Sequence, residues 1–549
     1  MIGVSTSITP EKGPVVPRLS WPVYALLLCA LAALLYAPVG AHLLDTHDAD
    51  YFADSEETLR NPSYFFSADK RMPGRPLFEL LILLEYAVLG DNPRLFHWAG
   101  VVLHAIAAWV LALSCFRACR EWDGAQLAGV LFICLCAPFQ AVQWISAHCY
   151  SLVLICSCLS IVSFVQYVDK GGRAAAIGTV LLQVLGVASH ISTAAIVPFG
   201  LYIAHKRRAL RRDVMSLLGV MAVVGLLSVL AIKMLYVVAP QNMIAARGFD
   251  LWMAAENYLF LWGRLLRSSY WIPARPDLIS GGEIALGAGA LCVGLWAGFR
   301  TEWKGGAAVV WIGLSLLPPL LLQPEYVRAL SSGPSRYLYL SSAGMACVTA
   351  LFILAGRNYA RRWVGGQWSV FGTIAILAML FTSSWYSIRR VDALAYYTEA
   401  RHALAVGDID LGIEQMMKAL SVKGGVLNRE DLYVRLCPML LNRGREVIPH
   451  LDTARTLFPE NPTLHMYEQV VRSMDGDTSS LRYLSRFRSN ESVRKAIAEA
   501  YHHAGRGAYR QADYGRSVAA LSRALSFDPN RPRTRASLRA AQGALQTDQ

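Results

Sequence analysis

Apolar windows of about 18–22 residues recur along the first two thirds of the chain, and no other feature limits the fold as much. A run of that length matches the hydrocarbon thickness of a bilayer, where each backbone polar group has to be satisfied within the segment, so each run is expected to be a helix. The windows lie at 22–40, 94–116, 125–140, 149–168, 174–189, 192–205, 214–239, 282–299, 306–323, 337–356 and 367–388, which makes eleven expected spans. The totals agree. Of 549 residues, 54% are hydrophobic and only 17% charged, with mean hydropathy +0.36, a balance that excludes an ordinary soluble enzyme of this size. Lys12 and Arg18 precede the first window, but no small-residue cleavage site follows it. It therefore reads as an uncleaved helix and not as a signal peptide.

The formal charge of +13 is a topology signal rather than a nucleic-acid footprint, because the basic residues punctuate apolar runs and form no dense tract. With residues 1–21 as a cytoplasmic tail, the inner loops hold Arg117 and Arg120, Lys170 and Arg173, the basic residues of 206–212, Arg300 and Lys304, and Arg357, Arg361 and Arg362. The short outer tips at 140–148 and 189–191 hold no Lys or Arg. An odd number of spans then puts the C-terminal part in the periplasm of a bacterial inner membrane, or in the ER lumen of a eukaryote. Most of the eleven cysteines lie within apolar windows and lack metal-site spacing, so they read as small packing residues.

Three longer outer segments remain, 41–93, 240–281 and 324–336, with Arg75, Arg264, Arg267, Arg275, Arg328 and Arg336 on the translocated side. Lipid phosphates, neighbouring acids or an anionic ligand would each explain an arginine retained there. Pro76 to Gly90 is short for a span and is interrupted by Glu79 and Glu85, so it is expected to lie along the outer surface. Residues 250–272 mix aromatics and arginines in the same interfacial manner, and Lys233 is expected to snorkel from its apolar run.

After Ile388 the composition changes to charged, Ala- and Leu-rich helix formers. Gly412-Met416-Ala419, Ser517-Leu521-Ala524 with Pro529 beyond, and Ala454 with Pro459 share the spacing of a tetratricopeptide second helix. In that helix small residues let paired helices approach and a proline ends the repeat. Three or four degenerate repeats are expected over 391–535, within a C-terminal domain of 391–549 that stacks as an α-solenoid with a concave surface. The fold expected is all-α: a polytopic membrane domain at 22–388, then this solenoid.

The chemistry-bearing residues cluster at the outer ends of the spans. Asp45, Asp48 and Asp50 follow the first window; in a helix Asp45 and Asp48 share a face, and in an extended loop Asp48 and Asp50 do. One such carboxylate can serve as a base, and two can hold a divalent metal ion, for which Asp48 and Asp50 are the candidates. The bland alternative is a solvated acidic loop that caps a helix. His42 and His47 are the histidines near enough in sequence to join a metal site. Arg75, before Pro76, and Arg336, before Tyr337, are placed to fork onto phosphate oxygens. His97 and His104 share a helix face, with the structural role favoured for His104; His97 is a candidate for the donor site. Gln143 and Trp144 sit on the tip Gln140–His148, and His190 and Ser192 occupy the next tip without a clear role. No nucleotide-binding, zinc or Ser-His-Asp pattern is present, so an activated donor would arrive on a lipid.

Read in order, several segments resemble the multi-span GT-C glycosyltransferase superfamily, closest to the transmembrane O-mannosyltransferase-like proteins with C-terminal tetratricopeptide repeats and their bacterial relatives. They are Asp48/Asp50, Arg75-Pro76-Leu77 to Gly90, Asn92-Pro93, Phe96-His97, Leu103-His104, Ala141 to Ser146, Arg336 to Leu340 and the repeats. The similarity departs from those relatives at Gln140, Ala147, His148 and Ser189-His190-Ile191. The resemblance implies two interfacial helices in the first outer loop, a polyprenyl-phosphate-linked sugar as donor, and inverting transfer with a first-loop carboxylate as base. Asp48 or Asp50 would be that base, with Arg75, Arg336 and His97 as donor ligands and Asp45, Gln143, Trp144 and Tyr337 lining the cavity. The acceptor would be a protein or envelope glycan, recruited by the repeats. The alternative is a catalytically inactive homologue acting as a membrane-anchored repeat scaffold. A lipid transporter ranks third.

Overall fold

The computed structural model describes residues 19–44, 46–67, 69–235, 250–270, 281–300, 303–321, 336–364, 366–422 and 429–548. Every regular element among them is helical. Asp45, Arg275 and Arg328, and the side chains of His47 and Lys233, lie outside the described set. The chain divides into two compact units, Met1–Asp392 and Ala393–Gln549.

In the first unit the main helices are α1 (Trp21–Leu35), α2 (Thr46–Arg60), α3 (Pro76–Leu89), α4 (Pro93–Cys119), α5 (Trp122–Cys134), the short α6 (Phe139–Gln143), α7 (Cys149–Lys170), α8 (Arg173–Ser189) and α9 (Ile196–Lys206). They continue with α10 (Arg212–Leu235), α11 (Leu251–Tyr270), α12 (Gly281–Arg300), α13 (Trp303–Ser315), α14 (Tyr339–Val364) and α15 (Gly366–Ala405). Each apolar window thus contains a helix. Among the described residues, five helices are long and apolar enough to cross a membrane: Pro93–Cys119, Ile145–Lys170, Arg212–Ile232, Arg336–Trp363 and Gln367–Arg389.

The other windows form shorter helices, and prolines account for several of the differences. Pro38 lies in a 3-10 turn, Ala37–Ala41, that follows α1; Pro138 stands just beyond the end of α5; Pro318 opens the 3-10 turn after α13. A proline ring cannot continue an α-helical hydrogen-bond ladder.

Residues at four of the turns grouped by charge meet at one end of this unit. Arg357 of α14 pairs with Asp123 of α5 at 2.9 Å. Arg207, just after α9, pairs with Asp169 of α7 and donates to the Ala118 carbonyl of α4 at 2.9 Å. At the other end, Tyr339 of α14 joins α4 and α7: its hydroxyl lies 2.9 Å from His104 Nδ1 and accepts from Ser151 Oγ at 2.8 Å. All three side chains are buried, and the contacts tie His104 through Nδ1 to α14 and α7.

The outer-segment arginines Arg264 and Arg267 are paired with an acid. Fully buried Arg264 lies 3.0 Å from Glu283 Oε2, and Arg267 lies 3.1 Å from Oε1 of the same carboxylate. Gly263 and Gly287 let α11 and α12 approach until a Cβ on either would strike the facing backbone.

The second unit contains α16 (Ile409–Ser421), α17 (Arg429–Arg443), α18 (Ile448–Leu457), α19 (Pro462–Met474), α20 (Thr478–Ser485), α21 (Glu491–Arg510), α22 (Tyr514–Phe527) and α23 (Pro532–Asp548). These are successive helical hairpins. The small-bulky spacing works as packing: Gly505 of α21 lies against Leu521 of α22, and Gly412 of α16 lies against Leu404. Side chains of Asp408, Asn461, Asn490 and Asp513 cap the helices that follow them. A regular solenoid would stack each hairpin only on its neighbours. Here α17 packs along α21, across the hairpin α19–α20 that separates them in sequence. Gly444 and Gly507 permit it, because a Cβ on Gly507 would fall on the Leu441 carbonyl.

Candidate functional site

The acidic stretch is helical, and that decides what its carboxylates can do. Asp48 stands in the first turn of α2, where the helix dipole favours an anion. Two residues apart on a helix, Asp48 and Asp50 project from different faces. Asp48 is buried, and its Oδ1 accepts the backbone N–H of Ser146 at 2.8 Å. Asp50 is half-exposed and stands 3.8 Å from Arg71. The two do not form the pair that an extended loop would have made. Among the described residues no group of three His, Cys, Asp or Glu side chains is placed to hold a metal ion.

Arg75 reaches the same tip from a different element. Residues 61–72 are folded back on α2 by buried Asp54, whose carboxylate accepts from the N–H groups of Arg71 at 3.1 Å and Met72 at 3.0 Å and from Tyr64 OH at 3.2 Å. Lys70 then forms a buried ion pair with Glu79 of α3. Glu79, one turn into the helix, also accepts the N-cap Arg75 N–H at 2.6 Å, and Pro76 occupies the first turn. Burial raises the Glu79 carboxyl above the usual range, although Lys70 and the Arg75 N–H pull it down. Held at the N-cap, Arg75 places Nη1 3.4 Å from the Ser146 carbonyl and 3.5 Å from Cys149 Sγ. Asp48 and Arg75 therefore hold the two backbone groups of one residue, Ser146.

Arg336 arrives from a third direction. Its N–H donates to Gln140 Oε1 at 3.0 Å, and its guanidinium lies 4.3 Å from the Trp144 ring centroid and 3.0 Å from Tyr337 OH. Arg75 and Arg336 are both half-buried, and neither has a carboxylate partner among the described residues. Both charges act on Tyr150 and on His190, whose rings meet at a tilt with centroids 4.9 Å apart. His190 Nδ1 lies 3.2 Å from the Ser192 N–H, which it accepts, and 2.9 Å from Ser192 Oγ, an arrangement that fixes the ring proton on Nε2. Burial, then Arg75 and Arg336, hold this imidazole well below the usual histidine range, so it is a neutral N–H donor at pH 7. Two cations and a neutral donor near one another suit an anion with several oxygens.

His97 faces elsewhere. Its Nε2 lies 3.2 Å from the Leu43 carbonyl, and its ring stands 6.0 Å from that of His42. His42 Nε2 is 2.5 Å from Asp392 Oδ1, and Gln143 Nε2 is 3.4 Å from His42 Nδ1. His97, His42 and Gln143 thus fasten the strand of chain that leads into α2; they do not surround the arginines. Trp144 and Tyr337 do, as the flanking rings of Arg336.

Ser146, Tyr150, His190 and Asp392 are the participants that sequence reading did not assign. Position on an outer tip was the signal for Ser146 and His190; Tyr150, inside an apolar window, and Asp392, just past one, offered none. No family model, no curated protein and no solved structure matches the chain.

Proposed function

We propose that the chain is an integral membrane glycosyltransferase of GT-C type. It moves a sugar from a polyprenyl-phosphate carrier to a protein or envelope-glycan acceptor on the face opposite its N-terminus. The carrying observation is the convergence on Tyr150 and His190 of Arg75 and Arg336, neither with a carboxylate partner among the described residues, beside a buried Asp48 held by Ser146. In this reading the two guanidinium groups bind the lipid phosphate and stabilise its charge as the sugar leaves. Asp48 takes the acceptor proton, and Asp50, solvent-facing against Arg71, stays outside the reaction. A divalent ion, if used, would have to be held with help from the substrate phosphate, since Asp48 and Asp50 diverge.

The topology follows the same reading: eleven crossings, a cytoplasmic N-terminus, and a C-terminal unit of tetratricopeptide type that recruits the acceptor from the periplasm or lumen. Clustering of the basic turns at the end remote from Asp48 supports it. A membrane-anchored scaffold is the second reading, favoured by the burial of Asp48, which gives that carboxylate a structural use of its own. Reconstitution with a panel of polyprenyl-phosphate sugars separates them. Donor consumption lost in Asp48→Asn supports transfer; a wild type that consumes no donor, with Asp48→Asn altering stability alone, supports the scaffold.

A further inference from the structure

At the end of the first unit remote from Asp48, α4, α5, α7, α9, α13 and α14 border a partly open recess of about 140 Å³. Its wall is apolar and built of small residues, among them Ala118, Ala128, Ala307 and Cys347. Water has little hold there. Ser114, one of the few polar side chains on the wall, already donates to the carbonyls of Val110 at 2.8 Å and Cys158 at 3.2 Å. Glu121 has a partner of its own. A water needs two to four polar partners, and this wall does not offer them.

The recess reaches the turn between α4 and α5, since Ala118, Cys119, Glu121 and Gly124 line it. That turn has the composition of a membrane–water interface. Trp21, Phe116 and Trp122 form a ring cluster with centroids 4.6–5.8 Å apart. Arg117 and Arg120 are exposed beside it, and neither has a carboxylate partner among the described residues. Arg120 holds a left-handed backbone, φ 61°, as the helix C-cap, which fixes where that charge stands.

We propose that the recess takes a stretch of one acyl chain of an anionic bilayer phospholipid, whose phosphate rests on Arg117 and Arg120. The small residues make room for the chain, the absence of open hydrogen-bonding groups keeps water out, and the two arginines select charge at the headgroup level. This site is separate from the Asp48–Arg75–Arg336 cluster. It rests on the membrane placement proposed above and not on the transferase reading, which donor consumption tests by itself.

The experiment is native mass spectrometry of the full-length protein, delipidated in detergent and then titrated with phosphatidylglycerol or with phosphatidylcholine of the same chains. The wild type should retain one phosphatidylglycerol, at least about 10-fold tighter than phosphatidylcholine, a ratio of roughly 1.4 kcal/mol. Ala307→Phe and Ala118→Phe, which fill the recess from two different helices, should lose the retained lipid while keeping the wild-type thermal midpoint. Arg117→Gln combined with Arg120→Asn, exposed changes with an asparagine suited to the left-handed position, should abolish the headgroup preference. Equal retention of both lipids by the wild type overturns the proposal. So does non-saturating adduct formation, or a filled variant that holds phosphatidylglycerol as the wild type does.

Discussion

Asp48 Oδ1 and the backbone N–H of Ser146 are 2.8 Å apart, and the Ser146 carbonyl faces Arg75 Nη1 at 3.4 Å. One peptide segment therefore sets the spacing between a buried carboxylate and a guanidinium that come from two different helices. The geometry makes the two first-loop carboxylates unequal. Asp48→Asn should lower donor-dependent transfer by about 10²–10⁴-fold, the usual contribution of a positioned base, with little change in donor KM. Asp50→Asn, which removes a contact of 3.8 Å to a largely exposed arginine, should change transfer less than about threefold, since such pairs contribute about 0–1 kcal/mol. Steady-state kinetics in liposomes check both. A loss in Asp50→Asn equal to that in Asp48→Asn would move the base.

The arginines predict the opposite kinetic pattern. Arg75→Lys and Arg336→Lys keep the charge but lose the planar fork, and Arg336 also loses its stacking on Trp144. Each should raise donor KM by about 10–100-fold, in line with roughly 1.5–3 kcal/mol for a charged hydrogen bond. Binding of the polyprenyl-phosphate carrier without sugar should weaken by the same factor. Carrier affinity unchanged in both variants places the phosphate elsewhere.

Local pattern and long-range packing differ in how much of this can be read from the chain. The helices of the apolar windows, the helix starting at Pro76 and the helical hairpins after Ile388 were legible because each is written in the residues of its own segment. Arg75 and Arg336 were singled out because a basic residue beside a span is unusual in a segment that the charge pattern assigns to the outside. The helix α2 was not, since Thr46–Arg60 is polar; what fixes it is tertiary, with Tyr51 against Phe78 and Phe52 against Phe96. Neither was the meeting of His42 with Asp392, 350 residues apart, nor the passage of α17 along α21, which depends on two glycines without a Cβ. Such contacts have no periodicity to announce them.

The buried Lys70–Glu79 pair supports the N-cap that aims Arg75, so breaking it should cost stability first and activity with it. Lys70→Met leaves Glu79 buried and without its cation, a loss of about 3–5 kcal/mol. The double variant Lys70→Met with Glu79→Gln removes both charges and should recover most of the thermal midpoint. Donor KM should stay raised, because the glutamine holds the Arg75 N–H less firmly. Midpoints measured in detergent and KM measured in liposomes separate the two effects. A double variant as unstable as the single one would show that the charge left behind is not the cause.

The C-terminal unit carries a pH dependence that can be measured apart from the membrane, because its core, from Ala400 to Phe527, is built wholly from its own residues. His502, with Nδ1 3.1 Å from Thr534 Oγ1, is held down to about 4 by burial, then by His503, Arg506 and Arg533. Burial and Arg506 hold His503 down to about 4 as well. Glu499 stands 3.2 Å from His503 but is shared with Arg531, so it does not restore the proton. In the unfolded chain both imidazoles titrate near 6.5. Between pH 6.5 and 4 the unfolded state therefore binds more protons than the folded one, and stability falls as pH falls through that window. After allowance for solvent screening the pair amounts to roughly 1–3 kcal/mol. Urea unfolding of residues 393–549, followed by circular dichroism, should show a lower midpoint at pH 5.5 than at pH 7.5. His502→Gln with His503→Gln should flatten the difference, since glutamine does not titrate. An equal drop in wild type and double variant would assign the effect to the carboxylates instead.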